Sequence, residues 1–62
     1  MALSKSDARE VQNLAIHLKL GNDVAVRQGA LSFIRSATSD AVQRKRLEAL
    51  RAVGIVVVRE AA

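Results

Sequence analysis

The residues best suited to chemistry in this chain are three consecutive cations, Arg44-Lys45-Arg46, followed two helical turns after Arg44 by Arg51. Guanidinium groups donate paired hydrogen bonds to carboxylates and phosphates. The cluster therefore suits an anionic partner, whether nucleic acid, an anionic membrane surface or an acidic protein face. Just upstream, Thr38 and Ser39 carry hydroxyls at the start of a helix, where unpaired backbone amides also meet phosphate oxygens. Gln43 adds a side-chain amide of the kind that reads base edges. Thr38, Ser39, Gln43, Arg44, Lys45 and Arg51 are accordingly the candidate nucleic-acid contacts. At helical spacing Asp40, Arg44 and Arg51 share a face, and Lys45 projects away from it. Arg46 falls four residues from both Val42 and Leu50, within the apolar stripe. There it must snorkel to the edge of the core or meet an acid or phosphate from a partner.

Catalytic constellations are missing. His17 is the only histidine and lies between Ile16 and Leu18. The chain has no cysteine, so neither a disulfide nor the usual Cys/His zinc site can be built. No serine sits in a glycine-flanked elbow, and no phosphate-binding glycine loop is present. The acids Asp7, Glu10, Asp23, Asp40, Glu48 and Glu60 are scattered, three of them at helix starts. A chain this short offers little room for a water-excluding pocket. The expectation is a non-enzyme with no cofactor, no metal and no small-molecule substrate.

The elements that must carry these residues are marked by glycine and by capping chemistry. Gly21 and Gly54 each follow an apolar-periodic run, where a left-handed stop is wanted. Asp7 with Glu10, and Asp40 with Gln43, read as capping boxes with Asp in the Ser/Thr role. Asn22 and Asp23 start a middle helix. The pattern predicts helices over about 7–20, 23–37 and 40–53. Ile55-Val56-Val57-Val58 then predicts a short strand over about 55–59. Ser6-Asp7-Ala8 to Leu20-Gly21 and Ser39-Asp40-Ala41 to Val53-Gly54 form a faint echo, which capping chemistry explains without duplication.

Thr38-Ser39-Asp40-Ala41-Val42, followed by Leu47-x-x-Leu50-x-x-x-Gly54-Ile55-Val56, resembles the recognition helix and first wing strand of winged helix-turn-helix transcription regulators. The likeness covers the C-terminal third. It implies a DNA-binding regulator with Thr38, Ser39, Gln43 and Arg44 facing the groove. The chain departs from that pattern at Lys45, where the family packs an apolar residue, and it lacks a second wing strand.

With 62 residues and one aromatic, Phe33, the core must be aliphatic and is near the lower size limit for independent folding. Association with a second copy is the expected remedy. Val11, Leu14, Ala15 and Leu18 stripe the first helix, while Ile16 and Leu20 point elsewhere. The middle helix has Val26, Ala30, Phe33 and Ala37 on one side and the small residues Ala25, Gly29, Ser32 and Ser36 on the other. A lone apolar strand needs a partner. Ile16, Leu20, Gly29, Phe33, Ile55 and Val57 are therefore the candidate partner or dimer interface. The net charge is +4, from ten Lys/Arg against six Asp/Glu. No run approaches the roughly 18 apolar residues of a membrane span, and the start lacks a signal-peptide layout, so no membrane association and a cytoplasmic location are expected. The fold expectation is mainly α: a three-helix domain with a C-terminal strand completed by dimerisation. Its function is expected to be nucleic-acid binding through the basic third helix; the alternative is a protein-interaction adaptor or inhibitor acting as a helical dimer.

Overall fold

The computed structural model of the chain describes residues 3–57. They form three α-helices: α1 (Lys5–Lys19), α2 (Asp23–Arg35) and α3 (Asp40–Ala52). Serine starts two of them. The Ser4 hydroxyl accepts from the Asp7 amide at 3.2 Å, and the Ser39 hydroxyl accepts from the Val42 amide at 3.2 Å. Each satisfies one of the orphan donors of a first helical turn. The caps are thus Ser4 and Ser39, not the Asp7–Glu10 and Asp40–Gln43 boxes expected from sequence. The faint echo between the first and third helices also falls out of register, because the two caps do not align in it. Asn22 precedes α2 without a side-chain cap bond.

Two helices end alike. Gly21 and Gly54 adopt φ of 77° and 91°, the left-handed region that glycine enters without a Cβ penalty. After α1, the Gly21 amide donates to the Leu18 carbonyl and the Asn22 amide to the His17 carbonyl. After α3, the Gly54 amide donates to Arg51 and the Ile55 amide to Leu50 at 2.9 Å. Both are Schellman endings, which commonly bring the residue after the glycine against the last helical turn.

That ending explains a correction at the C-terminal segment. Residues 55–57 form no strand; Val58 and Arg59 lie outside the described residues. A strand needs a hydrogen-bonded neighbour, and the described residues supply none. Instead the Schellman turn folds Ile55 back onto Leu50, where it is 5% exposed. Its β-branched shape fills the core rather than a sheet.

The core is made by Val11 and Leu14 of α1, Val26, Ala30, Phe33 and Ile34 of α2, Leu50 of α3, and Ile55. Leu50, at 0% exposure, is its most enclosed side chain. α1 packs most closely on α2. The small face of α2 explains the approach: a Cβ at Gly29 would lie 2.6 Å from Cδ2 of Leu14. Gly29 is therefore spent on packing within the chain. No helix among the described residues is long and apolar enough to cross a membrane.

Candidate nucleic-acid interface

The Arg44-Lys45-Arg46 triplet divides by helix geometry. Arg46 turns inward. Its Nε donates to Asp7 Oδ2 at 3.0 Å and its Nη2 to Asp7 Oδ1 at 3.1 Å. Its Nη1 donates to the Phe33 carbonyl at 2.7 Å and to the Ser36 hydroxyl at 2.9 Å. The guanidinium lies over the Phe33 ring, 4.5 Å from its centroid. The paired side chains are 13% and 16% exposed, so the fork is largely removed from water. The arginine in the apolar stripe is neither a free snorkel nor a partner contact; it meets an acid of its own chain.

This arrangement has a local cause. α2 is the helix without a glycine stop, and its Phe33 carbonyl would be left open near the helix end. The Ser36 hydroxyl donates to that carbonyl at 3.0 Å, and Arg46 supplies a second donor from α3. The positive charge also sits favourably beside a helix C-terminus. One side chain thereby ties the first turn of α1, the last turn of α2 and the middle of α3. Ser6, Glu10, Gly29 and Ser32 join these groups around an open cleft of about 380 Å³.

The other cations of α3 stay outside. Arg44 and Arg51 are exposed and Lys45 is partly exposed. Arg46–Asp7 is the only ion pair among the described residues. Glu48, also exposed, lies one turn from Arg44, Lys45 and Arg51 and sits among them on the outer face. Asp40 opens the same face. The remaining candidates fare unevenly. Thr38 is exposed in the α2–α3 connection. The Ser39 oxygen is engaged as the cap. Gln43 is half-buried on the inner side of α3.

The candidate interface residues also separate. Phe33 and Ile55 belong to the chain's own core, and Val57 packs against it. Gly29 faces Leu14. Ile16 and Leu20 remain open, at 52% and 71% exposure. Val24 and Val56, which periodicity did not single out, are equally open at 69% and 70%. Sequence reasoning missed Asp7 as the partner of Arg46; the only signal was an arginine where an apolar residue belonged. No group of His, Asp and Glu among the described residues is arranged to hold a metal ion. Comparison with known protein families, curated proteins and solved structures found no match.

Proposed function

We propose that the chain is a small non-enzymatic regulator that binds nucleic acid through the outer face of α3. The supporting observation is that α3 withdraws one cation into an internal pair and carries three others, close together, without one. Arg46 is consumed by Asp7, whereas Arg44, Lys45 and Arg51 have no carboxylate partner among the described residues. Exposed cations without internal partners retain their charge for phosphates. The surplus of +4 over the whole chain acts in the same direction.

A charge series tests this reading. Arg44→Glu with Lys45→Glu should abolish a mobility shift of duplex and single-stranded oligonucleotides at about 50 mM salt, a condition that favours electrostatic binding. Glu48→Gln should tighten the same complex, because it removes the acid lying among the cations. None of these residues belongs to the core, so helical content by circular dichroism should not change. A wild-type protein that shifts neither kind of oligonucleotide would defeat the reading.

A second reading rests on Ile16, Leu20, Val24 and Val56, all more than half exposed. Open apolar side chains mark protein contacts when they lie together. In this reading the chain docks as a helical dimer and serves as an adaptor or inhibitor. Sedimentation should then give a mass well above the 6.7 kDa of one chain, and Leu20→Asp should return it to one chain. A wild type that sediments as a single chain removes the dimer.

A further inference from the structure

We propose that the α3 face holds double-stranded nucleic acid by its phosphate backbone, without selecting bases. This inference rests on the nucleic-acid reading above and names the class of ligand. It follows from what the tertiary structure removes from the surface.

Aromatic stacking is removed first. Single-strand binders combine a cationic groove with aromatic side chains on which bases stack, each worth about 1–3 kcal/mol. This chain has one aromatic, Phe33, and no Trp or Tyr. Phe33 is 7% exposed, and the Arg46 guanidinium lies over its ring at 4.5 Å. Arg46 cannot serve as the stacking plane itself, because Asp7, the Phe33 carbonyl and Ser36 hold it in place.

Base reading by amide and hydroxyl groups is reduced next. Gln43, the only side-chain amide of α3, is half-buried on the inner side. The Ser39 oxygen accepts from the Val42 amide, which fixes the hydroxyl at the helix start. Asp40 at the first turn would meet phosphate oxygens if α3 entered a groove end-on, and like charges repel.

What remains on the outer face is Arg44, Lys45 and Arg51 against Asp40 and Glu48, a net positive surface whose spacing fits a duplex backbone. Arg44 and Arg51 stand about 10.5 Å apart along the helix axis at the usual rise per residue. That span approaches the major-groove width of about 12 Å, so a helix laid across the groove brings one arginine to each bank, where its guanidinium meets phosphates and not the guanine edges on the groove floor. Lys45 lies about 100° round the helix from Arg44 and is partly exposed. A duplex also carries twice the axial charge density of a single strand, about one charge per 1.7 Å against 3.4 Å.

Fluorescence anisotropy with three labelled probes tests the proposal: a short mixed-sequence duplex, a duplex of permuted sequence, and one strand of the first. The two duplexes should bind within roughly tenfold of each other, far below the ratio of about 10³ or more shown by specific binders. The single strand should bind more weakly than either duplex. Three phosphate contacts predict a salt slope near −2.7, or roughly a 40-fold loss between about 50 and 200 mM. Arg51→Gln should lower that slope by about one contact. More than tenfold selectivity between the duplexes, or a single strand bound as tightly as a duplex, overturns the proposal and leaves nucleic-acid binding standing. Failure to bind all three probes overturns both.

Discussion

Arg46 shows how one side chain can serve three helices at once. Its fork binds both oxygens of Asp7, its other nitrogen closes the Phe33 carbonyl and Ser36, and its plane lies over the Phe33 ring. Charge-assisted bonds of this kind contribute more than neutral ones, about 1.5–3 kcal/mol each as net values. Removing one partner is worse than losing the bond, because the other charge stays in place without compensation. Arg46→Met keeps most of the stem and removes the fork. It should destabilise the fold by about 3 kcal/mol, read as a shifted urea midpoint with an unchanged slope. Asp7→Asn should cost less, since an amide still accepts one of the two bonds. Equal midpoints for wild type and Arg46→Met would show that the pair contributes no net stability. The position of Arg46 in an apolar stripe was legible in the sequence. The identity of its partner was not, since Asp7 is distant in the chain and no local pattern links the two.

At the scale of the elements, helix ends were the most readable feature. Gly21 and Gly54 stop α1 and α3 as capping rules require. α2 and α3 start where the pattern places them, at Asp23 and Asp40, while α1 starts two residues before the expected position, at Lys5. The capping role falls to Ser4 and Ser39, which compete for it with the nearby Asp7 and Asp40. α2 is the instructive case: with no glycine after it, its end is completed by Ser36 and by a residue of another helix. Gly29 shows a similar shift from local to tertiary cause. Mid-helix glycine costs about 0.5–1 kcal/mol relative to alanine, and its neighbour across the interface is Leu14, whose methyl must move to admit even a Cβ. Gly29→Ala should therefore change stability little, the helix gain offsetting a small shift of the Leu14 methyl. Gly29→Leu should cost about 1–3 kcal/mol by overpacking. Thermal melts of the two variants check this. A Leu variant as stable as wild type would mean that α1 and α2 do not approach at this point.

For the whole molecule, a single small core joins all three helices. Leu50 is enclosed completely and is flanked by Ile55 through the Schellman turn. Leu50→Ala should cost about 2–5 kcal/mol, a large share of the stability expected of so short a chain. The loss should appear in every helix together, because no helix has a separate core to retain. Hydrogen exchange that protected α1 and α2 in this variant while α3 opened would contradict a shared core. The same packing divides the surface chemistry. Apolar residues needed inside are gathered around Leu50, while Ile16, Leu20, Val24 and Val56 remain outside. The cations of α3 are divided in the same way, Arg46 inward and Arg44, Lys45 and Arg51 outward.

The sequence by itself determined the number of helices, two of their endings and most of the residues that stripe their inner faces. These follow from capping chemistry and periodicity, which act within a few residues of one another. It also bounded the chemistry, through a single aromatic, a single histidine and the missing cysteine. Only the tertiary structure decided which members of the cationic cluster face water, why Gly29 is glycine, and that Ile55 closes the core instead of opening a strand. Those outcomes depend on groups far apart in the chain meeting at one place, and neither periodicity nor local propensity records such meetings.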